Sequence, residues 1–382
     1  MGNHFKEKSA SPGDKAFIET PVAHATTTGM TGGGFYDANS APQWKAIEAV
    51  LPWLDEAVAN LPLSGIGPVT LADFGCSEGR NSIAVMSRSL ENLLPLTDRP
   101  VQTIHSDLPT NDFSKLFLNL RPGGHPVYQS DRVYSSAVGG SMFDQLLPPA
   151  SVHLATTFNA IGFLSSRPIK NLPGYILPNG PSTLNDIGYV SEDDKQTFSE
   201  LAKGDVARFL RARAKELVPG GKLLVQVFGS TDTARTCDGI YDLLNDAVLG
   251  FVESGDIPRD TYEAYYQPVY MRQLDELTAA ISDDAYGASG LFSLDHSKAY
   301  EVAVPFNQKY QSDGDTKQYA RNYVNFFRAF TEAVLQNSLP EHPDRVDLVS
   351  RIYAHAEELL ERSPDRYPFR YAAVAMLLTR KE

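Results

Sequence analysis

Residues 71–81 read Leu71-Ala72-Asp73-Phe74-Gly75-Cys76-Ser77-Glu78-Gly79-Arg80-Asn81. The apolar run over 68–74 (PVTLADF) predicts a short buried strand that ends in an acid. Gly75 to Gly79 then reads as a turn, and a helix is expected over 81–90. Two glycines four apart let a backbone approach a bound ligand with no Cβ in the way. The turn also aims free N–H groups of the next helix at that ligand.

Working outward, the same alternation recurs. A second strand is expected over 101–106, ending at Asp107, the runs over 151–158 and 222–228 predict further strands, and 371–378 a last one. Helical spacing is seen over 43–61, where Pro52 predicts a kink, and over 198–217, stopped by Pro219-Gly220-Gly221. Strand–helix alternation of this kind predicts an α/β protein with a Rossmann-like, doubly wound parallel sheet. The expected core covers 35–165, 198–235 and 366–382. Residues 166–197 read as loop and 236–365 as mainly helical, so both are assigned to a substrate-binding cap over the strand ends. Residues 1–34, rich in Ser, Thr and Gly, read as a flexible arm.

Composition narrows the function. The chain has 382 residues, 42% hydrophobic, with a net charge of −13 and no basic run. That field repels a phosphate backbone, so nucleic acid is excluded as a partner. No stretch of about 18 apolar residues occurs, so no membrane span is expected. Two cysteines make no disulfide framework, and a reducing, cytoplasmic setting is the expectation. Cys76 has only Arg80 close by to activate it, which makes it a small buried filler rather than a nucleophile.

Asp73 ends one strand and can accept from an ammonium group. Asp107 follows the strand over 101–106 and can bond both hydroxyls of a ribose. Together they suit an amino-acid-bearing nucleoside, S-adenosylmethionine. The G-x-G-x-x-G of a dinucleotide site is absent, which argues against a nicotinamide enzyme.

Five blocks, in order, resemble the SABATH methyltransferases, the plant group that includes salicylic and jasmonic acid carboxyl methyltransferases and caffeine synthases. They are Tyr36-Asp-Ala-Asn39-Ser40-Ala-Pro-Gln43, residues 71–81, Ser106-Asp107-Leu108-Pro-Thr-Asn111-Asp112-Phe113, Gly140-Ser141-Met142-Phe143 with the Ser151-Val-His153 that follows, and Glu216-Leu-Val-Pro-Gly-Gly-Lys222. The resemblance implies that Tyr36, Ser40, Asp73, Gly75, Asn81, Asp107, Leu108, Ser141 and Met142 bind the methyl donor. It implies that Gln43 hydrogen-bonds a substrate carboxylate. His153 reads as a core histidine.

One block departs from the family. Its SSYSLHWLS is Thr157-Phe158-Asn159-Ala160-Ile161-Gly162-Phe163-Leu164-Ser165 here. The family's Trp, whose indole N–H holds the carboxylate, is Phe163, which has no donor. Gln43 is then left alone unless the Asn159 amide replaces the lost donor. Gly162 is expected to leave room. Ile240, Tyr241, Phe327, Phe330 and Phe369 fall at pocket-lining positions, so a lipophilic or aromatic acid is expected.

The family's magnesium site falls at Glu263 and Tyr266, and no cluster has metal spacing, so no metal is expected. The implied reaction is carboxyl O-methylation by in-line displacement, with no catalytic acid or base because a carboxylate is already ionised at neutral pH. The alternative within the family is N-methylation of a small heterocycle or amine. Family members are commonly homodimers, which gives a dimer as a further expectation.

Overall fold

The computed structural model describes residues 30, 33–120, 125–183 and 188–382. The arm expected over 1–34 therefore lies almost wholly outside the described residues. Among the described residues seven strands are formed: β1 (Val69–Phe74), β2 (Val101–Asp107), β3 (Val133–Gly139), β4 (Val152–Phe158), β5 (Leu217–Phe228), β6 (Phe292–Val302) and β7 (Tyr371–Arg380). They make one sheet in the order β3-β2-β1-β4-β5-β7-β6. The first five run parallel, while β7 is antiparallel to both β5 and β6. The doubly wound parallel core is thus present, with a mixed edge that the sequence did not announce.

Chain direction diverges between β1 and β4. From β1 the chain winds outward through β2 and β3, whereas β4 and β5 continue on the other side. A crevice opens at the carboxyl ends of strands at such a point, and ligands bind there.

Helices α1 (Phe35–Asn39), α2 (Ala41–Glu48) and α3 (Leu51–Ala59) precede β1. The single kinked helix expected over 43–61 is two helices, because the chain leaves helical geometry at Val50 (φ −113°, ψ 1°) and Pro52 opens α3. Helix α4 (Arg80–Leu93) follows the glycine turn and α5 (Phe113–Leu120) follows β2. Buried residues of α2, α3 and α4 cover one face of the sheet.

Helix α6 (Glu192–Glu216) starts earlier than expected. Ser191 caps it, its hydroxyl accepting from the Asp194 amide at 3.1 Å, and three acids occupy its first turn. The loop reading of 166–197 was too long for this reason. Helices α7 (Ile240–Glu253) and α8 (Arg259–Ala264) come next, then α9 (Leu274–Ser282). With α10 (Pro305–Asp313), α11 (Thr316–Ser338) and α12 (Arg345–Arg362), α7 and α8 form a separate apolar cluster over the strand ends.

Two elements inside the expected cap range belong to the sheet layer. Leu277 and Ala280 of α9 pack with α6 on the other face, and β6 is an edge strand. β6 carries Asp295, His296, Lys298 and Glu301 in place of an apolar run, which protects an exposed edge but hides it from a hydrophobicity pattern.

Candidate active site

The turn after β1 is shaped by close approach. Gly75 has φ 96°, and a Cβ there would overlap that of Ala160 across the switch point. Gly79 has φ 109°, with Leu116 Cδ1 only 2.6 Å from where its Cβ would stand. The Gly75 and Cys76 amides donate to the Ser106 carbonyl at 2.8 and 3.0 Å, tying the turn to the end of β2. Above it, the Gly34 amide donates to Glu78 at 3.0 Å and Arg80 donates to the Asp37 carbonyl, so α1 is drawn down over the turn.

Asp73 is 2% exposed and accepts from Thr156 Oγ1 at 2.6 Å. Burial pushes its carboxyl up to about 6, with the Asp107 charge adding and the Thr156 and Ser82 hydrogen bonds opposing. Asp107 accepts from the Ser77 and Leu108 amides at 2.7 and 2.8 Å, yet burial still raises it above the usual carboxylate range. Two buried acids that repel each other make a site that a cationic ligand relieves.

A cavity of about 440 Å³ opens at this point. Tyr36, Gly75, Asp107, Leu108, Ser141 and Met142 line one part of it, and Gln43, Asn159, Phe163, Ile240, Tyr241 and Phe330 line the rest. Asp73 and Asn81 border a small adjoining niche that shares Tyr36, Gly75 and Asn159 with the cavity. Ser40 is not on the wall; its hydroxyl turns back to the Asp37 carbonyl at 3.5 Å, between α1 and α2.

Three further expectations meet corrections. Gly162 leaves no room, because the Phe228 ring already occupies the space where a Cβ would stand. Phe327 turns away from the cavity into Tyr323 and Tyr353, while Phe326, one residue earlier on α11, takes a place on the wall. Phe369 stacks behind the wall on Phe306, Tyr323 and Phe326. His153 lies in the core, its Nδ1 accepting from the Thr70 amide at 3.2 Å, and burial lowers it to about 4.

Several wall residues escaped the sequence reading. Ser77 and Ser106 each carry a buried side-chain oxygen without a partner among the described residues, on the same wall as the expected Gln43. The two serines stand inside recognisable blocks and were within reach. Phe228, Met271, Phe326 and Tyr371 come from strand ends and a helix with no motif, and only the fold gathers them. Among the described residues no group of three or more His, Cys, Asp or Glu is placed to hold a metal ion, and no helix is long and apolar enough to cross a membrane.

The strand order, the glycine turn and the two acids at adjacent strand ends suit an S-adenosylmethionine-dependent methyltransferase, and the family match makes it one. Residues 24–381 match the family described as "SAM dependent carboxyl methyltransferase", and the chain belongs to that family. It is similar to probable jasmonic acid carboxyl methyltransferase 1 of Theobroma cacao, 25% identical over 370 residues that cover 91% of this chain and 95% of that protein. It is also similar to gibberellic acid methyltransferase 2 of Arabidopsis thaliana, 27% identical over 322 residues, covering 78% and 79%. Among solved structures, loganic acid methyltransferase with SAH shares the fold, with a TM-score of 0.73 at 22% identity, covering 92% of this chain and 99% of that one. The chain is thus an S-adenosylmethionine-dependent enzyme of carboxyl O-methylation.

Proposed function

We propose that the acceptor is a lipophilic or aromatic carboxylic acid whose carboxylate meets Gln43 and whose body lies among Phe163, Phe228, Met271, Phe326 and Phe330. The observation that carries this reading is the Gln43 side chain. It is 4% exposed, its amide makes no hydrogen bond to a described residue, and it stands on the wall of a cavity otherwise rich in aromatic and aliphatic groups. A buried amide left unpaired is costly, and its NH₂ group, which donates, is the end that a carboxylate on an apolar body can meet.

The methyl donor fits the acid-lined part. In this reading Asp73 takes the ammonium group and Asp107 the ribose, with Tyr36, Leu108, Ser141 and Met142 around them. Bound S-adenosylmethionine supplies an electrophilic methyl group on a sulfonium. The chain's own residues then have a limited task. A carboxylic acid with a pKa near ~4 is already ionised at neutral pH, so no residue has to remove a proton. Gln43 and the apolar wall hold the carboxylate oxygen in line, an effect worth on the order of 7–11 kcal/mol at most. The aromatic wall also excludes water from an anion whose charge is lost in the reaction. Both cysteines are free and buried, which fits a reducing cytoplasm.

A panel of carboxylic acids graded in size and aromaticity, assayed with a labelled methyl donor, tests the reading. The expected outcome is that kcat/KM rises from short hydrophilic acids to those with a ring or an aliphatic chain. Preference for short hydrophilic acids overturns it.

A further inference from the structure

Phe163 gives the acceptor end of the cavity no hydrogen-bond donor, and the geometry around Asn159 supplies one. Asn159 follows β4 with φ 63°, a left-handed conformation that asparagine tolerates better than most residues. Its Oδ1 accepts from the Phe228 amide at 3.2 Å, from Gln226 Nε2 at 3.3 Å and from Tyr371 Oη at 3.0 Å. A backbone N–H can only donate, so the oxygen of the Asn159 amide must face Phe228. The NH₂ group is thereby left on the other side. It makes no hydrogen bond to any described residue, and Asn159 is part of the cavity wall together with Gln43 and Tyr371.

We propose that the Asn159 NH₂ group is the second donor to the substrate carboxylate, and that Tyr371 is the positioning residue that keeps this amide turned toward the substrate. The proposal rests on the carboxylate lying at Gln43. The fold explains why Tyr371 can do this. Strand β7 runs antiparallel to β5, so its first residue arrives where the parallel strands end, next to the residue that follows β4. Two amides, one from α2 and one from the end of β4, then form a neutral clamp. A neutral clamp binds an anion without quenching its nucleophilicity as a paired cation would.

The test uses Asn159→Asp and Tyr371→Phe in the full chain, with the best acid from a panel and saturating methyl donor. Asn159→Asp keeps the shape and every contact made by Oδ1, but replaces the donor with an anion. The KM for the acid is expected to rise about 10- to 100-fold, with the dissociation constant for S-adenosylhomocysteine within about twofold of the parent. Tyr371→Phe keeps the ring and two of the three bonds to Oδ1, and a rise in KM of several-fold at nearly unchanged kcat is expected. A parental KM in both variants overturns the clamp. So does a loss of kcat and of S-adenosylhomocysteine binding with KM unaltered, which would mark a structural role. If the parent protein methylates no carboxylic acid at all, it is the reading of the acceptor that fails, not the geometry of Asn159.

Discussion

Arg213 and Glu216 stand one turn apart at the end of α6, 0% and 1% exposed, and their side chains meet at 2.7 Å. The pair does more than neutralise itself. Arg213 donates to the Met142 and Asp144 carbonyls at 2.7 and 2.9 Å, and Glu216 Oε1 accepts from the Leu146 and Leu147 amides at 2.6 and 2.9 Å. The ion pair is therefore the clamp on the loop that presents Ser141 and Met142 to the cavity. It also gives a structural reason for the Glu216 block that the sequence reading could only match by resemblance.

Removing one partner of such a pair strands the other charge in the interior. Glu216→Ala is expected to cost roughly 3–5 kcal/mol of stability by denaturant unfolding. At temperatures where the variant stays folded, S-adenosylhomocysteine affinity should fall as well, because the 141–147 loop loses the two anchors Glu216 supplies and Arg213, which holds the other two, loses its partner. Unchanged affinity in a destabilised variant would limit the pair to holding the fold.

The acids predict a pH dependence of cofactor binding. Burial holds Asp73 at about 6 in the cofactor-free protein and raises Asp107 in the same direction. A cationic ligand favours the ionised carboxylate and so lowers its pKa on binding. Affinity is then fully present above about pH 6 and falls as pH drops through 6, by up to tenfold per unit. Calorimetry with S-adenosylhomocysteine from pH 8 to 5 measures this, and Asp73→Asn should flatten the low-pH limb. A flat profile in the parent would contradict the assigned role of Asp73.

The contact between Gly162 and Phe228 predicts a change in acceptor size. A methyl group at Gly162 must displace the Phe228 ring, which lines the cavity. Gly162→Ala should therefore lower kcat/KM for bulky acids more than for small ones, and Phe228→Ala should do the opposite. A uniform loss across the acid panel would show that the ring does not set the space available.

The sequence revealed the middle of the fold better than its margins. Strands β1, β4, β5 and β7 lie inside the sheet and carry apolar runs that stand out unaided, while β2 was found through the acid that ends it, Asp107. The two strands that went unread, β3 and β6, are the outer ones. β3 holds Ser135 and Ser136, and β6 alternates charged residues along its length; an edge needs less apolar surface and more protection. At the site, Asp73, Asp107 and Gln43 were legible because they sit in compact blocks beside the turn. Phe327 was chosen in place of Phe326 because one residue on a helix changes direction by about 100°, and only packing fixes that phase. Tyr371 was read as the start of a strand. Its bond to Asn159 joins residues 212 apart, and no local pattern carries it.

The account stands most directly on where the methyl group goes and which residue governs its acceptor. The measurement is transfer of a labelled methyl group from S-adenosylmethionine to an aromatic or aliphatic acid, by the parent protein and by Gln43→Ala. The predicted result is a label released by mild alkali, as a methyl ester is, with KM for the acid raised in Gln43→Ala and S-adenosylhomocysteine affinity kept. An alkali-stable product from an amine or heterocycle, with no ester formed from any acid, would contradict it.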